Sequence, residues 1–161
     1  MKQSLTIILV LLTMTPRAQT SCSIQRAEAY YYTVIPGTKS VVINIGGEEK
    51  PATVPLRSNL IVYLVTNCAQ RPVISLSIGK MKPATEFIRV RTNRDVAGKD
   101  DSGNLKIIKA RKGSYLWKAT QSAENEKVFS GKEKIILKGT IGGNKINISV
   151  TAAKLAAVPM Y

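Results

Sequence analysis

The run Leu60-Ile-Val-Tyr-Leu-Val-Thr66 has no charged residue and no polar alternation. A strand with one wet face alternates apolar and polar side chains. A run that is apolar on both parities predicts a strand covered on both faces. It leads directly into Cys68, and the chain's only other cysteine is Cys22. A fold built on this stretch must therefore supply two covers for one strand and fix that strand's end near the beginning of the mature chain.

The N-terminus predicts how the cysteines behave. Lys2 precedes the apolar run Leu5 to Leu12, and small residues follow up to Ser21. A short positive start, a short apolar run and small residues beyond it read as a secretory signal peptide over 1–20. The run is too short to span a bilayer, and nothing later approaches the ~20 apolar residues a span needs. Residues 21–161 then form a single domain, large enough to build its own core. Two cysteines in an exported chain predict a Cys22–Cys68 disulfide. The expected location is the periplasm in transit, then the cell surface or the medium.

Charge narrows the partners. The chain has 24 basic and 10 acidic residues, and without Lys2 and Arg17 the balance is 22 to 10, or +12. Residues 19–70 carry four basic and three acidic side chains, whereas 71–161 carry 18 and seven. Outside the cytoplasm, the anions such a field meets are surface polysaccharides, acidic glycoconjugates, acidic matrix proteins and anionic lipid. Nucleic acid is not expected as a partner.

The rest of the chain reads as short strands punctuated by turns. Strand signals cover Glu28–Ile35, Ser40–Ile45, Val73–Ile78, Glu86–Thr92, Leu105–Ala110 and Ser114–Ala119,. Ala52–Leu56 reads as a short edge segment, because Pro55 cannot donate to a ladder,. Ile74, Leu76 and Ile78 alternate with serines, and Ile88 and Val90 are expected inward, opposite Arg89 and Arg91,. Asn93–Asn104 reads as a polar loop and Gln121–Lys127 as a loop or one helical turn. Lys134–Ile141 and Lys145–Thr151 flank Gly142-Gly143-Asn144, the best hairpin signal in the chain,. The tail from Ala152 extends the last strand or forms a short helix. Eight or nine strands and no long helix predict an all-β, immunoglobulin-like antiparallel β-sandwich with one disulfide. The count fits a complete sandwich or one lacking a strand.

Candidate sites are few. The absence of histidine removes His-based catalysis and the usual zinc sites,. Oxidised cysteines offer no thiolate, so no catalytic residue, metal or cofactor is expected. Asp95, Asp100 and Asp101 lack EF-hand spacing and read as a turn rather than a calcium site. Arg89, Arg91 and Arg94, with Lys106, Lys109, Arg111 and Lys112 near Trp117, are the expected ligand-binding residues. Together they would make a basic face with an aromatic platform. The alternative is a solvated sheet surface, since Lys and Arg also guard strand edges. Asn147-Ile-Ser149 matches the glycosylation triplet but lies within an expected strand.

The order of signal peptide, Cys22, alternating strands and an apolar strand ending in Thr66-Asn-Cys68 resembles the frame of chaperone–usher pilus subunits. The strong positive charge is similar to that of the aggregative adherence fimbriae and Dr-type adhesins. The resemblance covers the mature chain in outline, and its specific element is the cysteine placement. It implies a sandwich missing its last strand, completed by a periplasmic chaperone and then by a neighbouring subunit. It also implies attachment to an acidic host glycoconjugate or matrix protein. The few residues from Gln19 to Ser21 cannot serve as a donor strand, which places such a subunit at a fibre tip. The competing expectation is a self-complete secreted sandwich that binds a polyanion or an acidic protein without a fibre.

Overall fold

The computed structural model describes residues 21–35, 41–43, 49–51, 57–124, 129, 131 and 133–159. The expected signal peptide and the Ala52–Leu56 segment lie outside them. The described residues are all β, with no helix among them. One large sheet is built from β1 (Ile24–Ile35), β4 (Arg57–Thr66), β5 (Val73–Ile78), β6 (Ile88–Arg89), β9 (Tyr115–Glu124), β10 (Lys134–Ile141) and β11 (Asn144–Lys154). It has the order β5-β10-β11-β1-β4-β9-β6 and curls over on itself, as in a β-sandwich. A short β12 (Val158–Pro159) also pairs with β1. Two small hairpins complete the chain: β2 (Val41–Ile43) with β3 (Glu49–Pro51), and β7 (Arg94–Lys99) with β8 (Leu105–Lys109).

The central strand is β4, antiparallel to both β1 and β9. Its two faces belong to two separate cores. Leu60, Val62 and Leu64 point inward with Ala29, Tyr31, Trp117 and Ala119, against Ile74, Leu76 and Ile78 of β5 and Ile135 and Leu137 of β10. Ile61, Tyr63 and Val65 point outward with Tyr30 and Leu116, under Ala97 of β7, Ile108 of β8 and Leu155 of the tail. The expected double cover is therefore present: the curl of the sheet on one side and the β7–β8 hairpin on the other. Each fully buried aliphatic side chain in these layers contributes about 1.5–3 kcal/mol of transfer free energy.

The Cys22–Cys68 disulfide is formed, with the two Cα atoms 5.4 Å apart. It ties the start of β1 to the end of β4. Asn67 reinforces the joint, accepting from the Ser23 amide at 2.7 Å and donating to the Ser21 carbonyl at 3.0 Å. Across the sheet, Asn144 donates to the Cys22 carbonyl at 2.7 Å. The β10–β11 turn thus docks on the bridge. Docking leaves no room for a side chain at Gly142, and the turn gives both Gly142 and Gly143 positive φ angles, +55° and +82°. A two-residue hairpin turn with both φ angles positive matches the twist of its strands.

The chain's own β11 occupies the position between β10 and β1. It is antiparallel to β10 over eight pairs, from Lys134↔Thr151 to Ile141↔Asn144. Its far end runs parallel to β1, from Ala29↔Ala152 to Tyr31↔Lys154. The tail therefore extends a strand, and β11 fills the position between β10 and β1. The near end of this seam, between Ile24–Glu28 and Asn147–Thr151, has no ladder. A hollow of about 410 Å³ opens there, lined in part by Ile24, Ile146 and Ile148.

Three expectations change. Asn93–Asn104 is not a loop: it holds β7, whose inward side chains are only Asp95 and Ala97, too little apolar signal to read as a strand. Leu105–Ala110 and Ser114–Ala119 are both strands, as expected; β8 pairs with β7 and β9 with β4 and β6. Ile88 is not inward but 65% exposed; Phe87 fills the inner core instead. Gln121–Glu124 continues β9 rather than forming a loop or helical turn.

Gly142 provides a test of the turn's docking. A Cβ on Gly142 would lie 2.6 Å from Cys22 Cβ and 2.7 Å from its Sγ, whereas one on Gly143 meets nothing within 4 Å. Both Gly142→Ala and Gly143→Ala carry the left-handed backbone penalty of about 1–2 kcal/mol. Only Gly142→Ala also displaces the disulfide. Denaturant unfolding should show the larger loss for Gly142→Ala, and equal losses would contradict the docking.

Candidate anion-binding cleft

Three features of the chain converge at one end of β4. The first is a β-bulge in β1: Ile24 pairs with Thr66 and Arg26 with Val65, leaving Gln25 as the extra residue. Consecutive strand residues normally point to opposite faces. A bulge re-aims them, and here both Gln25 and Arg26 line the same cleft. The second is the end of β8, which brings Lys109. The third is the turn from β8 to β9, closed by the Ser114 amide donating to the Arg111 carbonyl at 3.0 Å, which presents Arg111 and Lys112. The cleft between them is open, about 530 Å³, and is lined by Gln25, Arg26, Val65, Lys109, Arg111, Lys112 and Ser114. Four of the seven are cations and none is an acid.

Arg26 is held in place by its neighbours. Its Nη2 donates to the Lys109 carbonyl at 2.6 Å, and its Nε lies 2.8 Å from Glu28 Oε1. Glu28 in turn accepts from the Tyr30 hydroxyl. Burial, and then the hydrogen bond to Glu28, push the Tyr30 phenol well above its ordinary range, so it remains a donor,. Arg26 has donors left over after these contacts. Ser114 donates from Oγ to Gln25 Oε1 at 2.8 Å, bracing the bulge. Lys109, Arg111 and Lys112 have no ion-pair partner among the described residues. Arg94 sits directly across from Lys109 in the β7–β8 ladder, and like charges so placed repel.

A second polar group sits beneath the hairpin and holds it to the sheet. Tyr63, 1% exposed, donates to Asp95 Oδ2 at 2.8 Å, and Lys118 Nζ lies 2.7 Å from the same oxygen. Burial opposes the Asp95 carboxylate, but the hydrogen bonds from Lys118 and Tyr63 outweigh it and hold the carboxyl below its ordinary range,. Asp95 is thus separated from Asp100, which accepts from the Ser102 and Asn104 amides and shapes the β7–β8 turn. Among the described residues no group of three or more acidic or cysteine side chains could hold a metal ion.

The expected basic face is only partly assembled. Lys109, Arg111 and Lys112 line the cleft, and Arg94 borders it. Lys106 lies on the inward side of the hairpin, its Nζ 5.5 Å from the Tyr30 ring centroid. Arg89 belongs to β6 and stacks at 4.6 Å over Tyr115, and Arg91 follows in the turn after it. Trp117 is not a ligand platform. It is 4% exposed in the inner core, where its Nε1 donates to Thr66 Oγ1 at 3.0 Å. Its indole N–H thus has a buried partner, as an indole in a core requires. Sequence reasoning missed Gln25, Arg26 and Ser114, because a bulge leaves no periodic signal.

A second hollow, of about 450 Å³, lies beside β6 and mixes Glu86 with Arg89 and Lys118. Its charge is less one-sided. The chain matches no protein-family model, no curated protein and no solved structure. No helix among the described residues is long and apolar enough to cross a membrane. The disulfide fits an oxidising compartment,.

Asp95 gives the hairpin's attachment a pH signature. A carboxyl whose pKa is lowered by folding adds stability that is present above its unfolded value, near 3.8,. That stability is lost as the pH falls from there through the lower folded value. Asp95→Asn removes this increment. The gap in thermal midpoint between the native protein and Asp95→Asn should be full at pH 6 and close as the pH drops below about 3.8. A gap independent of pH would show that the Asp95 carboxylate does not hold the hairpin.

Proposed function

We propose that this protein is an exported, self-complete β-sandwich of adhesin type that attaches to an acidic partner through the cleft of Arg26, Lys109, Arg111 and Lys112. The observation that carries this reading is the convergence of four cations from three separate segments on one open cleft whose lining has no carboxylate. Lys109, Arg111 and Lys112 have no ion-pair partner among the described residues, so gathering them beside Arg26 costs stability unless an anion is present,. The guanidinium forks of Arg26 and Arg111 match carboxylate, sulfate and phosphate oxygens. What supports self-completeness is β11, which fills the position between β10 and β1.

A second reading retains the pilus subunit, placed at a fibre tip and served by a periplasmic chaperone and a neighbouring subunit. The unzipped near end of the β1–β11 seam favours it, because both strand edges there are free of a ladder. Donor-strand peptides separate the two readings. A strand acceptor gains several degrees of thermal midpoint with a matching peptide, and a self-complete sandwich gains nothing.

The cleft is tested by retention on a heparin column. Native protein should elute late and its elution should shift steeply with salt, since the attraction is electrostatic. Arg111→Glu/Lys112→Glu should elute far earlier than Arg89→Glu/Arg91→Glu, which changes the net charge equally away from the cleft. Equal shifts for the two pairs would mean that net charge alone, not the cleft, accounts for binding.

A further inference from the structure

The outer face of the β7–β8 hairpin carries more than charge. Its inner face is spent on covering β4, through Asp95, Ala97 and Ile108. The ladder register then fixes which residues face away: Arg94 opposite Lys109, Val96 opposite Ile107, and Lys99 opposite Leu105. Leu105 is 57% exposed and Val96 45% exposed, with Ile107 half-buried between them. Three aliphatic side chains therefore sit side by side, with Arg94 and Lys109 at one end and Lys99 at the other. Arg111 and Lys112 of the cleft follow directly from β8. The exposed side chains of Val96 and Leu105 belong to neither core, and a soluble polyanion needs neither of them.

We propose that this face binds the surface of an anionic lipid bilayer, with Val96, Leu105 and Ile107 entering the headgroup layer and the surrounding cations meeting lipid phosphates. The proposal rests on the reading of the cleft as an anion site and names its partner class. Charge complementarity favours lipid. Interfacial binding scales with buried apolar area plus attraction to anionic headgroups, and this face offers both. Cations close to such a surface strengthen the attachment. Asp101 stands at the tip of the hairpin and is exposed, so the Arg94–Lys109 end would approach the membrane first.

The test is co-sedimentation of the mature protein with vesicles, alongside heparin retention. The vesicles are phosphatidylcholine alone or with about 30% phosphatidylglycerol, a density that gives a strong negative surface. Native protein should sediment with the anionic vesicles only. Val96→Ser/Leu105→Ser changes no charge and no buried residue. It should weaken vesicle binding about tenfold while leaving heparin retention unchanged. Arg111→Glu/Lys112→Glu should weaken both. Unchanged thermal midpoints would confirm that the variants are folded. If native protein is retained on heparin but ignores anionic vesicles, the lipid proposal fails and the cleft reading stands, with a polysaccharide or acidic protein as partner. If the serine variant sediments as well as native, the apolar residues play no part and the proposal is overturned. If native protein binds neither, both readings fall.

Discussion

A strand buried on both faces is the constraint from which the architecture follows. β4 presents Leu60, Val62 and Leu64 to one side and Ile61, Tyr63 and Val65 to the other, all buried. One sheet can cover only one of those faces by folding over, and it does so with β5 and β10. The second face requires an extra layer, and the chain makes it by leaving the large sheet after β6 to build β7–β8. The cover must also satisfy the Tyr63 hydroxyl, because a buried phenol without a partner costs about 1–3 kcal/mol. Asp95 supplies the acceptor and Lys118 balances the charge. The hairpin's position is thus set by a polar tip within an apolar face.

That cover has a consequence for charge. Once Asp95, Ala97 and Ile108 are committed inward, period-two geometry forces Arg94, Val96, Ile107 and Lys109 outward,. The β8–β9 turn must then lead from the outer layer back into the large sheet. It does so beside the disulfide-anchored start of β1, with Arg111 and Lys112 at its crest. The Gln25 bulge brings Arg26 to the same place. The cleft is therefore located by the route the chain takes between its two layers. Arg26 also binds Glu28 and the Lys109 carbonyl, but at Lys109, Arg111 and Lys112 the fold alone would be served by neutral residues.

How much of this the sequence showed depends on where the signal came from apolar periodicity. β4, β5, β10 and β11 are legible because their core-facing residues include large aliphatics at regular spacing. β7 was not, since its inward positions are an aspartate, an alanine and a bulge near Gly98. Ile88 misled for the opposite reason. Its strand is two residues long, and the core at that point is filled by Phe87 in the preceding loop. Trp117 was placed near the cations because it is close to them in sequence; the alternation of β9 turns it to the inner face, where Thr66 accepts its N–H. Arg26 lies 83 residues from Lys109, and no local pattern relates them.

The cations also bear on why the chain is so basic. The described ion pairs hold Arg26 to Glu28, Arg71 to Glu86 and Lys118 to Asp95. Arg94, Lys109, Arg111 and Lys112 take part in none of them. Two of these face each other across a ladder and two are adjacent in a turn, so each adds repulsion to the folded state. Neither core requires them, for both are closed by apolar contacts, the disulfide and the Tyr63–Asp95–Lys118 group. A residue set that opposes folding and sits outside the packing is better understood through what it meets in solution. Val96 and Leu105 obey the same logic: they are exposed where burial was available on the hairpin's other face. Charge and apolar surface that the fold does not use coincide on one side of one hairpin, and that coincidence is what an anionic interface would recognise.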